Sequence, residues 1–344
     1  MAELSPGESR DSMQQYIAVL PKAELHVHLE GAVEPLHLSR LATKHQTALA
    51  AGGEQAIQAL YTTRDFAGFL EAFKIVCQHL QTPVDYEFIT YRVLRRLSRQ
   101  QVRYAEIIIS AGVMLWNGQN IVTLFTGIDA GARKAQAEFG IRVQWIFDVV
   151  RQFPVEQAWG VARAAAALRS RGVVALGIGG DETAAPAERF QEIFAFARDH
   201  GLHLVAHAGE TVGPESIWSA LNHLGAERIG HGLTAAHDPA LLDHIGSRQL
   251  PVEICLTSNL RTGGIAELNQ HPLRQYFDRG LNVSLHSDDP TLFGTDLNRE
   301  YLLAHEAFGF NQFELRRLAM NSFESSFLSR QEKDSCLASF AEEA

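Results

Sequence analysis

A chain of 344 residues can form two ordinary domains or one large α/β barrel, and its 46% hydrophobic and 20% charged residues exclude the disordered and fibrous classes. The formal charge of −10 argues against a nucleic-acid surface, which needs a Lys/Arg-rich face. Cys77, Cys255 and Cys336 show no paired spacing, and neither a signal-like N-terminus nor a long apolar run is present, so the expectation is a cytoplasmic protein with no nucleic-acid and no membrane partner.

Residues 1–19 read as an N-terminal extension, 20–330 as a single domain and 331–344 as a C-terminal tail. The first strand, "ELHVHL" (24–29), carries His26 and His28 two residues apart, so strand alternation aims both at one face. Residues 31–100 read as a helical insertion at the mouth of the domain. Within it, "RDFAGFLEAFKIVCQHL" (64–80) places Phe66, Leu70, Phe73 and Val76 at helical spacing. Further strands follow at 104–110, 142–149, 173–180, 203–209, 228–232, 251–258 and 282–289. Segments such as "PAERFQEIFAFARDHG" between them have the helical period and a terminal glycine. Eight strand–helix units predict a (β/α)8 TIM barrel, with terminal helices after about residue 291.

In such barrels the C-terminal ends of the strands face the open site. That filter collects His26 and His28, Gly180-Asp181-Glu182, His207 with Glu210, His231, Ser258-Asn259 and Asp288-Asp289. His203 shares the face of His207 but lies at the start of its strand, so it reads as structural, as do Asp181 and Glu182, bracing their loop. Three histidines and an aspartate with one open position suit a mononuclear hydrolytic site, best filled by Zn²⁺. Such an ion lowers the pKa of a bound water from 15.7 towards about 7.

"PKAELHVHLEG", "GGDE", "HAGE", "RIGHG", "LTSN" with "RTG", and "SDDP", in that order and on the expected strands, resemble the adenosine deaminase family of the amidohydrolase barrels. The resemblance covers about residues 20 to 310. It implies that His26, His28, His207 and Asp288 bind one zinc per chain, since strand four lacks the lysine of binuclear barrels. It implies that Glu210 protonates purine N1 and passes a proton to the leaving ammonia, and that His231 orients and helps deprotonate the metal-bound water. Asp289 is expected at purine N7 and the Gly180 N–H at N3. The implied partner is a small-molecule purine nucleoside; oligomeric state stays open.

Adenosine-specific members typically read HLDG, the aspartate reaching the ribose 5′-hydroxyl; here the residue is Glu30. Members acting on free adenine also read HLEG, but "GGDE" and "SNLRTG" resemble the nucleoside branch. A nucleoside substituted at 5′, such as aminodeoxyfutalosine, meets both observations, with adenosine and adenine as competitors. A silent purine-binding relative would need a missing ligand or acid, and none is missing. A metal-dependent hydrolase of a non-purine substrate requires Glu210 and Asp289 to be dispensable.

Overall fold

The computed structural model describes residues 10–62 and 65–341; Arg64, the expected start of an insertion helix, and the outer ends of both terminal segments lie outside the described residues. The strands are β1 (Lys22–His28), β2 (Val102–Ile109), β3 (Arg142–Val150), β4 (Val173–Gly179), β5 (His203–Ala208), β6 (Arg228–His231), β7 (Val252–Ile254) and β8 (Val283–Leu285). Each pairs in parallel with the next. β8 returns to β1 through a bridge between Val27 and Asp288: Asp288 N–H donates to the His26 carbonyl at 2.9 Å, and His28 N–H to the Asp288 carbonyl at 2.8 Å. The expected barrel therefore closes where its first two histidines sit. Among the described residues, no helix is long and apolar enough to cross a membrane.

The interior of the barrel is divided along its axis. Ile108, Ile146, Ala175 and Val205 pack together, with Phe327 against them, as a small apolar cluster separate from the main core. The histidines and paired acids singled out in the sequence gather at the C-terminal mouth, where barrel sites form, while Arg228, Glu106 and Glu253 form buried ion pairs within the barrel. The helix Gln312–Ser325 crosses behind β8 and β1, its Asn321 amide donating to the Val283 carbonyl at 2.9 Å.

The segment between β1 and β2 holds helices at Pro35–Lys44, Ala48–Ala51, Gly53–Leu60, Phe66–His79 and Pro83–Arg99. The last is a barrel helix, not part of an insertion. It starts on a Thr82/Asp85 capping box with Pro83 in its first turn and lies against the helix Ile121–Phe139. Two glycines permit that approach: a Cβ on Gly127 would fall 1.8 Å from the Pro83 carbonyl oxygen, and one on Gly131 would fall 2.5 Å from that of Glu87. β7 is also shorter than expected. The chain turns into the helix Leu256–Arg261 directly after Ile254-Cys255, so Ser258 and Asn259 are helical.

Candidate active site

The two β1 histidines project into the mouth together with His207 at the end of β5 and Asp288 beyond β8. His28 Nε2 stands 3.2 Å from His207 Nε2 and 3.4 Å from Asp288 Oδ1, and His26 Nε2 lies 3.5 Å from the same oxygen. A tetrahedral ion with ligands at about 2.0–2.1 Å requires donor spacings of roughly 3.3 Å, which these distances match. Donor atoms of His26, His207, His231 and Asp288 form one group within 4.8 Å, and His28 joins His207 with Asp148, and Asp288 with Asp289, in two more.

The electrostatics call for a cation. His26 Nε2 is buried without a hydrogen-bond partner, while its Nδ1–H is held 2.8 Å from Glu253. Burial opposes a charge on His26, but Asp288 and Glu253 on either side outweigh it and raise the pKa well above the usual value. Burial lowers His28 to about 4, and burial with neighbouring histidines takes His207 well below the ordinary range, leaving both neutral as ligands must be. The His207 ring donates Nδ1–H to the Ile178 carbonyl at 3.0 Å, so its bare Nε2 faces the cluster. Asp288 and His231 adopt left-handed backbone, with φ of 61° and 65°, conformations that non-glycine residues keep only under constraint.

Glu210 follows β5 on a loop pinned by Glu182. That carboxylate accepts the backbone N–H groups of Gly209, Glu210 and Thr211, each at 2.8 Å, and the Ser216 hydroxyl. Arg151 braces the same turn by donating to the carbonyls of Ala185 and His207, each at 3.0 Å. Glu210 is thereby aimed at His231 Nε2, 3.6 Å away, and accepts from the Thr262 hydroxyl at 3.1 Å. Burial raises its pKa. Burial, and then the charge of Asp288, push Asp289 well above the carboxylate range.

A cavity of about 450 Å³ extends from this cluster, within the ~300–1,000 Å³ typical of ligand sites. His28, His207, Glu210, His231, Asp288, Asp289 and Gly180 line it, and Phe66, Phe73, Trp116 and Phe153 form its apolar wall. Gly180 sits at φ +90°, and a Cβ there would meet Gln152 Oε1 at 2.3 Å. His26 stands behind the lining residues. Glu30 departs from expectation: it is buried, absent from the cavity wall, and accepts from the Ser110 N–H at 3.3 Å. Its longer side chain is withdrawn beneath Ser110, which does line the cavity. His203 lies at the closed end, paired with Glu227 at 2.9 Å and stacked on Phe327.

The sequence reading missed Asp148 and Glu253, acids embedded in the apolar strands "WIFDVV" and "PVEICL". An isolated acid in a buried strand was the available signal. Asp148 fills the space over Gly177, where a Cβ would fall 2.0 Å from its Oδ1, and burial raises its pKa to about 8.

A sequence model of the family described as adenosine deaminase matches residues 21–342. The chain belongs to the adenosine deaminase family. Among adenosine deaminase family members, the aminodeoxyfutalosine deaminase of Streptomyces coelicolor is 40% identical over 327 residues, 94% of this chain and 84% of that protein. The crystal structure of an adenine deaminase from Arthrobacter aurescens superposes with a TM-score of 0.90 at 29% identity, covering 94% of this chain and 98% of the other. A Burkholderia ambifaria amidohydrolase crystallised with bound Zn gives a TM-score of 0.91 at 26% identity, covering 99% and 95%.

Proposed function

We propose that this deaminase uses one zinc ion to replace the C6 amine of an adenine nucleoside with oxygen, releasing ammonia, and that its preferred substrate carries a bulky 5′ substituent, as aminodeoxyfutalosine does. The reaction class follows from family membership. The observation that carries the substrate reading is the cavity's far wall. Glu30, at the position where adenosine-specific members place a ribose-binding aspartate, is turned away under Ser110, and Phe66, Phe73, Trp116 and Phe153 offer an apolar surface instead. Free adenine would leave much of about 450 Å³ unfilled. Apolar walls contribute by removing apolar ligand surface from water, at about 25 cal/mol per Å².

His26, His28, His207 and Asp288 would hold the zinc. Bound there, zinc lowers the pKa of a water towards about 7 and so supplies a nucleophile at neutral pH. Attack at C6 disrupts an aromatic ring. Glu210, whose pKa burial raises, donates to N1 in its protonated form and lets the ring accept the electron pair. Asp289, its pKa raised by burial and by Asp288, donates to N7 in its protonated form, and the Gly180 N–H meets N3. His231 faces the point of attack from beside Glu210. The buried thiols Cys77 and Cys255 agree with a cytoplasmic location.

Adenine is the competing substrate, because similar proteins act on it. The test is kcat/KM measured side by side for adenosine, 2′-deoxyadenosine, adenine, 5′-methylthioadenosine and aminodeoxyfutalosine. The 5′-substituted nucleosides should lead; adenosine or adenine preferred by ~100-fold, the discrimination a single built subsite can supply, would sink the substrate reading.

A further inference from the structure

Five donors crowd the mouth, and the hydrogen bonds of three of its histidines sort those rings into two kinds. His207 gives its Nδ1–H to a carbonyl, which can only accept, and His26 gives its own to the Glu253 carboxylate. Each therefore turns Nε2, the nitrogen left for a metal, to the centre. His231 is wired in the opposite sense.

The wiring begins at a group with one possible role. The Leu273 backbone N–H donates to His271 Nδ1 at 3.0 Å, so that nitrogen is an acceptor. Burial holds His271 neutral, its pKa pushed down to about 3, and its one proton must then be on Nε2. That nitrogen lies 3.2 Å from Asn259 Oδ1, which orients the amide and directs Asn259 Nδ2–H to Nδ1 of His231 at 3.0 Å. All three side chains are buried from bulk solvent. With Nδ1 of His231 accepting, its proton is on Nε2.

We propose that Asn259 and His271 are positioning residues that fix His231 in the Nε2–H tautomer, keeping it out of the metal's ligand set and making it a hydrogen-bond donor to the attacking oxygen. A protonated ring nitrogen has no lone pair for a metal, so the donor group that contains His231 overstates the ligands by one. It also cannot accept a proton at that atom, so the expected part of His231 in deprotonating the water is withdrawn and its orienting part is kept. The contact with the attacking oxygen rests on the proposed function; the tautomer does not.

Imidazole nitrogen NMR of labelled zinc-loaded enzyme tests both, because protonated, bare and metal-bound ring nitrogens resonate apart. His231 should show a protonated Nε2 and a bare Nδ1, with His26 and His207 metal-bound through Nε2. Asn259→Asp replaces the amide donor with an acceptor and should move the His231 proton to Nδ1 while zinc stays at one per chain. kcat should fall about 100-fold with KM little changed, as for loss of one oriented donor. Asn259→Leu, which removes the bias without adding a charge, should give a mixture of tautomers. A bare or metal-bound Nε2 on His231 in the wild type, or an unaltered tautomer in both variants, overturns the proposal. Absence of deamination of any 6-aminopurine would fail the functional reading instead, and the spectra would still decide the tautomer.

Discussion

Glu253 Oε2 lies 2.8 Å from Nδ1 of His26, and its other oxygen contacts Nε of Arg228 at 2.6 Å. Arg228, itself buried, also pairs with Glu106. Burial favours a neutral Glu253, but Arg228 and His26 overcome it and hold its pKa at about 2. A permanent carboxylate behind a histidine proposed to bind the metal fixes the ring's tautomer and raises its basicity. Glu253→Gln should therefore weaken zinc binding about 10–100-fold, read by competition with a chromophoric chelator. Glu253→Ala should also destabilise the fold by about 3–5 kcal/mol, because Arg228 is left buried with half its countercharge. Unchanged zinc affinity in both would mean that the barrel backbone alone orients His26.

Asp288 occupies left-handed backbone, which asparagine tolerates better than alanine. Both Asp288→Asn and Asp288→Ala should lose most bound zinc, measured per chain by elemental analysis. The alanine variant should be less stable than the asparagine one by a further ~1–2 kcal/mol. Full zinc content in Asp288→Asn would transfer the fourth ligand position to Asp148 or Asp289.

In the proposed role of N1 acid Glu210 must be protonated, and burial raises its pKa above that of an exposed glutamate. kcat should fall as pH rises through that raised pKa, and Glu210→Gln should abolish the dependence along with ~10²–10⁴ of the rate, zinc being retained. Glu182→Ala leaves three backbone N–H groups and the Ser216 hydroxyl without their acceptor, a loss of about 1–3 kcal/mol for each group that stays buried. It should mimic Glu210→Gln in rate and raise amide exchange at residues 209–211. A normal rate in Glu182→Ala would show that the loop holds its shape unaided.

The barrel was legible because strand periodicity and helical periodicity alternate with few interruptions, and the mouth because histidines and paired acids cluster at strand ends. What escaped depended on partners distant in sequence. Glu253 looks like a strand residue until His26 and Arg228 flank it, and the Leu273, His271 and Asn259 relay forms only because the helix Leu256–Arg261 replaces the end of a predicted strand. Pro83–Arg99 was read into the insertion because its amphipathic pattern does not say which surface it covers; the glycines at 127 and 131 record that on the partner helix. Glu30 is expected at the ribose end of the substrate, whereas its side chain turns to the Ser110 N–H, a partner distant in sequence.

Glu30 makes a stability prediction. Burial raises its pKa from 4.5 to about 7, so the folded state binds this proton more tightly than the unfolded chain. The associated stability is fully present below about pH 4.5 and is lost as pH rises through about 7, a change on the order of 3 kcal/mol. Glu30→Gln keeps an oxygen for the Ser110 N–H and removes the titration. Its Tm relative to wild type should rise between pH 5 and pH 8 at constant zinc; a difference independent of pH would mean that Glu30 is ionised in the folded protein.

Trp116 stacks on Phe153 with ring centroids 4.7 Å apart and planes 9° from parallel, yet remains 56% exposed. An indole held rigid by one face and open on the rest is a contact surface whose ordering entropy is already spent, and it lies on the wall of the cavity. If that wall receives the 5′ substituent, Trp116→Ala should lower kcat/KM for aminodeoxyfutalosine by roughly 3–10-fold, the worth of one aromatic contact, chiefly through KM. Adenine has no 5′ end to reach this wall, so its kcat/KM should be unchanged. Equal losses on both substrates would place the effect in the packing of residues 111–116 and remove the wall's role in choosing the nucleoside.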